Sequence, residues 1–197
     1  MSFRKEKKYR LTYSDIAVVQ QLLFKNGMKE LYPSRIINSC YFDTENMSLF
    51  HDSEEGVLPR KKVRIRWYDN NLDLNKEIKI SSLKGRHKVS KKFNKINKIE
   101  DLYNLNLFDE TYGKLIPTLI VSYKRFYFNL DKLRITFDKN IFYLNIKTKI
   151  HQKINDDECV MEAKVPLECS DDYIDKMISQ STSRFSKYSR GLLYFYK

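Results

Sequence analysis

The sequence has little glycine, few cysteines and no long apolar run, and each shortage excludes a class of protein. Only five of the 197 residues are glycine, whereas Tyr, Phe, Ile and Asn are abundant, which favours an ordered, strand-rich structure. The three cysteines form no C-x-x-C pair, so a disulfide framework or zinc motif is not indicated. The N-terminus lacks the apolar core of a signal peptide, and no segment approaches membrane-spanning length. We therefore expect a cytoplasmic protein with no membrane span in this chain.

The charge of the chain is strongly unbalanced. Lys and Arg number 37 against 25 Asp and Glu, which gives a formal net charge of +12. This excess favours an acidic partner, namely a nucleic acid, a phosphate compound or an anionic membrane surface. Hydrophobic residues make up 42% of the chain, which argues against disorder. Because no repeat or linker interrupts the sequence, residues 1–197 are predicted to form a single domain.

The segment Pro59–Tyr68 is the most informative stretch. Read with the two-residue period of a strand, one face carries Arg60, Lys62, Arg64 and Arg66, whereas the other is mainly apolar. Neighbouring like charges repel, so a solvated strand face usually mixes both signs. A uniformly cationic face therefore predicts a bound polyanion.

Other segments repeat this division into an ionic and an apolar face. Strands are predicted over residues 3–11, 36–43, 72–80, 118–130, 133–138 and 159–165, with a possible edge strand over 88–93 and a further strand or excursion over 141–150. Helices are predicted from the Ser14 cap to Gly27, over 99–108, and from the Ser170 cap to about Gln180, and Pro33 is expected to interrupt the chain. The pattern predicts an α+β, mainly antiparallel fold: a closed eight-stranded β-barrel with helices packed outside.

A barrel of this kind would enclose many cations. The inward positions would include Lys8, Lys62, Arg64, Arg66, Lys79, Arg125, Arg134 and Lys164. The interleaved carboxylates Glu6, Glu77, Asp138 and Glu162 are suited to a divalent metal that bridges phosphate oxygens. Arginine binds phosphate through two parallel hydrogen bonds, and lysine supplies point charges. A linear polyphosphate or a nucleoside triphosphate fits this composition.

Eight short motifs, in order along the chain, carry a resemblance to a known family. They are EKKY at 6–9, SCYFD at 39–43, RKKVRIRWY at 60–68, EIK at 77–79, YKR at 123–125, RITFD at 134–138, MEAK at 161–164 and RFSKY at 184–188. Together they resemble the VTC domain, the polyphosphate polymerase domain of the triphosphate tunnel metalloenzyme (CYTH-like) superfamily. The resemblance implies a tunnel that binds ATP and polyphosphate with Mn²⁺ or Mg²⁺.

The resemblance also implies roles for individual residues. Matching positions look like phosphate ligands at Lys8, Arg64, Arg66, Lys79, Lys91, Arg125 and Arg134, with Lys88 and Lys92 competing for the place of Lys91. Glu162 looks like a metal ligand, and Arg184, Ser186 and Lys187 look like a segment that closes on the phosphate chain. We add Lys62 to the phosphate set and Glu6 and Asp138 to the metal set, and we expect catalysis to depend on Lys8, Arg64, Arg66 and Glu162.

Three functions are compatible with these residues. The first is polyphosphate polymerase-like transfer of the terminal phosphate of ATP onto a polyphosphate chain. The second is a triphosphate or polyphosphate hydrolase, although hydrolases of the superfamily begin with E-x-E-x-K and this chain has Arg4 at the first position. The third is a module that binds polyphosphate or RNA without chemistry. Strict alternation of cations with apolar residues favours an enclosed site, so no nucleic acid is expected.

Overall fold

The computed structural model describes residues 4–83, 85–94, 96–148 and 152–196. Its strands are β1 Arg4–Leu11, β2 Lys29–Asp43, β3 Arg60–Tyr68, β4 Asn75–Ser82, β5 Gly85–Lys92, β6 Leu107–Asp109, β7 Gly113–Leu130, β8 Leu133–Asn145, β9 Gln152–Asn155 and β10 Cys159–Pro166. Its α-helices are α1 Tyr13–Lys25, α2 Ser48–Glu55, α3 Tyr173–Met177 and α4 Lys187–Phe195, and a 3₁₀ helix spans Ile99–Asn104. The predicted strand ends at Phe3 and Ile150 lie outside the described residues.

The fold is mainly antiparallel β with a few helices, as predicted, but the barrel closure is wrong. The strands follow the order β1-β10-β8-β7-β2-β3-β4-β5, with β6 beside β7 and β9 beside β8. Among the described residues this order is an open path with two terminal strands rather than a ring of eight. The alternation of ionic and apolar residues shows that each strand has two different faces. It does not show which strands pair at the ends of the sheet, and barrel closure depends on that pairing. None of the helices in the described ranges is long and apolar enough to cross a membrane.

The described residues divide into two compact units, each assembled from separate pieces of the chain. Unit 1 contains the described residues up to 36 together with 123–141 and 155–185. Unit 2 contains the described residues of 37–122, 142–154 and 186–197. The prediction of a single domain stays a prediction.

In unit 1, helix α1 covers the apolar face of the β1–β10–β8 strands. Buried residues of the helix, Ile16, Val19 and Leu23, join Met161 and Phe137 in one core. Antiparallel pairing sets Tyr9 opposite Met161 and Met161 opposite Phe137, so these side chains share one face of the sheet. The alternate positions of the same strands carry the charged residues described below.

In unit 2, the apolar face of the cationic strand β3 forms a second core. Val63, Ile65 and Trp67 are buried in a cluster that includes Phe42 of β2 and Leu49 of α2. Strand β3 pairs with β2 on one side and with β4 on the other, and β4 pairs with β5. The predicted division of β3 into apolar and cationic faces is confirmed.

Several predicted boundaries are wrong for local reasons. Helix α1 begins after Thr12, whose hydroxyl accepts a hydrogen bond from the backbone N–H of Asp15 in a capping box, so Ser14 lies inside the helix. Pro33 does not interrupt the chain, because β2 runs continuously from Lys29 to Asp43. The predicted final helix is only the five residues of α3, and α4 was not predicted.

Candidate phosphate-binding site

Arg64 and Arg66 occupy adjacent positions on one face of β3 and are both buried. Their exposed fractions are 7% and 8%, so neither guanidinium projects into bulk solvent. Antiparallel register sets Tyr41 of β2 and Glu77 of β4 on either side of Arg64. We call Tyr41, Arg64, Arg66, Glu77 and Lys88 the arginine cluster.

Glu77 is the anionic centre of the arginine cluster. Its Oε2 accepts from Nε and Nη2 of Arg64 at 2.8 and 2.6 Å, and its Oε1 accepts from Nζ of Lys88 at 2.6 Å. Nη1 of Arg66 lies 3.7 Å from Oε2, and Nε of Arg66 donates to Oγ of Ser39 at 3.2 Å. One buried carboxylate therefore contacts three cations, which reduces their repulsion but leaves a net positive charge.

The cations of the cluster lower the pKa values of their neighbours. Burial alone would raise the pKa of Glu77, but Arg64, Arg66 and the hydrogen bond from Lys88 outweigh burial and lower the pKa to about 2. Burial likewise opposes ionisation of Tyr41, and the same two arginines outweigh it and lower the pKa of the phenol. Both shifts indicate a positive potential that favours anions.

Tyr41 connects Arg64 to the C-terminal helix within unit 2. The hydroxyl of Tyr41 accepts from Nη1 of Arg64 at 2.9 Å, and its ring stacks on Tyr188 with centroids 4.8 Å apart. The Tyr188 hydroxyl in turn donates to Oδ2 of Asp43. Asp43 also accepts from the backbone N–H groups of Leu49 and Phe50 at 2.9 Å, in the first turn of α2.

Lys62 and Ser186 also meet in unit 2. Nζ of Lys62 donates to Oγ of Ser186 at 2.7 Å. Ser186 is the N-cap of α4, where its hydroxyl accepts from the backbone N–H of Ser189. Lys187 is the first helical residue, so this part of the predicted closing segment is the start of a helix.

Four charged residues on β1 and β10 form an alternating pattern in unit 1. Glu6 lies opposite Lys164, and Lys8 lies opposite Glu162, in the antiparallel register. Nζ of Lys164 contacts Glu162 and lies 3.5 Å from Glu6, and Nζ of Lys8 also lies 3.5 Å from Glu6. We call these four residues the charge square. Lys8 additionally donates to the backbone carbonyl of Phe185 at 3.2 Å.

Arg125 lies beside the charge square and is paired mainly with Asp138. Its Nε and Nη2 donate to the two carboxylate oxygens of Asp138 at 2.6 and 2.7 Å, and its Nη2 lies 3.9 Å from Glu162. Burial opposes the charge of Arg125, but Asp138 more than compensates and raises its pKa. Burial would raise the pKa of Glu162, and Lys164, Arg125 and Lys8 together lower it. Glu162 is therefore ionised at neutral pH.

The carboxylates of unit 1 fit a divalent metal only in combination with other ligands. Within the described ranges, no group of three or more His, Cys, Asp or Glu side chains is placed to hold a metal ion. Glu6 and Glu162 contact the same ammonium group, that of Lys164, so two carboxylates converge on one cationic position. Mg²⁺ is commonly held by one or two carboxylates with phosphate oxygens and water completing its shell. Asp138 would have to release Arg125 to join them.

The remaining predicted site residues are placed as follows. Lys91 points to the face of β5 that carries Val89, whereas Lys88 lies on the face of the arginine cluster, so the structure does not bring Lys91 to this cluster. Lys79 pairs with Lys62 and Lys88 on the cluster face and is exposed. Arg134 lies opposite Lys164 and is exposed, and Arg184 is exposed.

Sequence reasoning left Tyr41 and Asp43 out of the candidate site, and it assigned Glu77 to a metal, whereas the structure pairs Glu77 with Arg64 and Lys88. The two-residue period placed Ser39, Tyr41 and Asp43 on one face of β2, which was the available signal. That signal does not reveal that Glu77 would neutralise the arginines or that Tyr188 would stack on Tyr41. Both contacts depend on strand register and on α4.

Known structures share this fold at low sequence identity. A candidate adenylate cyclase from Vibrio parahaemolyticus has 14% identity and a TM-score of 0.54, with 98% of each chain covered. A Hippeastrum protein described by a dominant triphosphatase activity has 12% identity and a TM-score of 0.56, with 98% of this chain and 96% of its own covered. A conserved hypothetical protein from Pyrococcus furiosus has 11% identity and a TM-score of 0.57, with 94% and 99% covered.

The sequence itself matches one family over nearly its whole length. None of the curated proteins matches it. The profile of the VTC domain, however, matches residues 3–196, a range that contains both the arginine cluster and the charge square. The chain therefore belongs to the VTC domain family.

Proposed function

We propose that this protein is a metal-dependent enzyme that acts on a triphosphate or polyphosphate, and that it transfers the terminal phosphate of ATP onto a polyphosphate chain. The observation that carries the proposal is the buried pair Arg64 and Arg66, held beside the carboxylate of Glu77. Buried guanidinium groups with excess positive charge require an anion, and arginine suits phosphate oxygens. Family membership supports the same substrate class.

The arginine cluster would stabilise the phosphoryl group during transfer. Alternate residues on a strand are about 6–7 Å apart, so Arg64 and Arg66 can each contact a different phosphate of one chain. In phosphoryl transfer the protein contributes mainly positioning and charge neutralisation, which fixed guanidinium groups supply. In unit 1, Glu6 and Glu162 would hold a divalent metal, which when bound would supply charge neutralisation for phosphate oxygens.

Hydrolysis is the second candidate, favoured by the triphosphatase activity described for the Hippeastrum protein of similar fold. Against it, the chain has Arg4 where hydrolases of the superfamily carry the first glutamate of E-x-E-x-K. A binding module without chemistry is the third candidate.

One incubation separates the three functions. Purified protein is given ATP labelled on the γ-phosphate together with Mn²⁺, and polyphosphate chains and free phosphate are quantified separately. We expect labelled chains; free phosphate alone would indicate a hydrolase, and saturable ATP binding without either product would indicate a binding module. The variant Arg66→Ala, prepared in parallel, controls for contaminating enzymes because it should form neither product.

A further inference from the structure

The guanidinium of Arg64 is held at two of its edges. Nη1 donates to the Tyr41 hydroxyl at 2.9 Å, and Nε and Nη2 donate to Oε2 of Glu77 at 2.8 and 2.6 Å. Because a guanidinium is planar and rigid, contacts at two edges fix both its position and the direction of its plane. At one edge the guanidinium forms an ion pair with Glu77, and at the other edge it donates a hydrogen bond to the uncharged hydroxyl of Tyr41.

Tyr41 is itself fixed by a chain of contacts that ends in backbone. Its ring stacks on Tyr188 with an interplanar angle of 19°, and the Tyr188 hydroxyl donates to Asp43. Asp43 accepts from the backbone N–H groups of Thr44, Leu49 and Phe50 at 2.7–2.9 Å. The position of Arg64 is thereby connected to the first turn of α2 and, through Tyr188, to α4.

Packing alone does not explain why both aromatic residues are tyrosines. Phenylalanine would fill the same volume and stack equally well. Each hydroxyl instead contacts a charged group, that of Tyr41 a cation and that of Tyr188 an anion. Tyr188 is only 1% exposed, and each ring covers the other, which argues against a role in stacking on a nucleotide base.

We infer that Tyr41 and Tyr188 are positioning residues that hold Arg64 in the orientation required to bind phosphate. The inference rests on the proposed function and assigns to α4 a role in phosphate binding through Tyr188. A site built in this way recognises the phosphate chain rather than the base.

The test removes single hydroxyls and keeps the rings. Tyr41→Phe should raise the dissociation constant for inorganic tripolyphosphate, measured by calorimetry, about tenfold, the effect expected when one hydrogen bond to a charged group is lost. Tyr188→Phe should raise it less, because the stacking on Tyr41 remains. Tyr112→Phe is the matched control: its hydroxyl donates to Asp52 at 2.6 Å in the same unit but contacts no member of the arginine cluster. It should leave tripolyphosphate affinity unchanged.

A double-mutant comparison separates positioning from a general loss of stability. In an Arg64→Ala background, Tyr41→Phe should cause no further loss of affinity, because no guanidinium remains to be positioned. Wild-type affinity in Tyr41→Phe, or an undiminished loss in the Arg64→Ala background, would overturn the inference.

A measurement without ligand distinguishes failure of this inference from failure of the proposed function. Absence of tripolyphosphate binding by the wild-type protein would refute the function. Nitrogen NMR of the arginine side chains then decides the positioning role: rotation of the Arg64 guanidinium should be about tenfold faster in Tyr41→Phe, as one restraining hydrogen bond is lost. Unchanged rotation would overturn the inference.

Discussion

The charge of Glu77 should stabilise the folded protein, and Glu77→Gln tests this directly. The carboxyl is 3% exposed, and its pKa is lowered from 4.5 to about 2 because the surrounding cations outweigh the effect of burial. A difference of about 2.5 pKa units corresponds to about 3 kcal/mol at neutral pH. Glutamine resembles the protonated acid, so the variant should lose about that much of the free energy of unfolding at pH 7.

The difference in stability between the wild-type protein and Glu77→Gln should depend on pH in one direction. Because the pKa of Glu77 is lower in the folded state, its stabilisation is complete above pH 4.5 and is lost as the pH falls toward 2. The wild-type protein should therefore lose stability faster than the variant on acidification. By pH 3.5 the difference between them should have fallen by about 1 kcal/mol.

Urea unfolding followed by the fluorescence of Trp67 provides the assay. Trp67 is the single tryptophan, and it is buried in the core of unit 2 on the apolar face of β3. The buffers must contain chloride and no phosphate, because phosphate would replace the missing carboxylate. Glu110→Gln, at an exposed position, is the control. A difference below about 1 kcal/mol at pH 7, or one that stays constant down to pH 3.5, would refute the reasoning.

Three further outcomes are expected. Arg66→Ala should reduce turnover at least about 100-fold, because a charge contact to the transition state is lost. The free energy of unfolding should change little, because Arg64 and Lys88 still pair with Glu77. An unfolded variant, or one with wild-type turnover, would contradict this. Calorimetry should show tight Mn²⁺ binding only when tripolyphosphate is present, since Glu6 and Glu162 supply too few ligands alone; tight binding without phosphate would count against it. Gly191→Ala should destabilise the protein by about 1–3 kcal/mol in thermal or urea unfolding, because the added Cβ would lie 2.5 Å from Cδ1 of Tyr143. Leu193→Ala, at a largely exposed position of the same helix, is the control, and equal stability of Gly191→Ala and wild type would show that the helix can shift.

Sequence reasoning was correct where the two-residue period of a strand determines which side chains are buried together. The two-residue alternation in β3 and β1 placed the buried arginines and the ionic residues of the charge square on the correct faces. Sequence reasoning was wrong where a single proline was interpreted as the end of a structural element. Proline removes only one backbone donor, so β2 can continue through Pro33.

Strand register explains most of what the sequence could not show. Lys88 and Lys91 are equally basic, and only the pairing of β5 with β4 determines which one reaches Glu77. Helix α4 was missed because its sequence is mixed basic and aromatic, and its helical state depends on the Ser186 cap and on packing of Gly191 against Tyr143 and Leu119. The contact between Tyr188 and Tyr41 follows from that packing.

The charge square has a consequence for how anions approach the protein. Two positive and two negative charges alternate around the charge square, so the square has no net charge and almost no dipole. Its electric field is that of a quadrupole and falls off within a short distance. It can discriminate between ligands only at contact. Lys62, Arg64, Arg66, Lys79 and Lys88 instead share a face with Glu77, and this excess of positive charge acts over about a Debye length, roughly 8 Å at physiological salt. Added salt should therefore slow the capture of an anion by this face, whereas the field of the charge square itself should depend little on ionic strength.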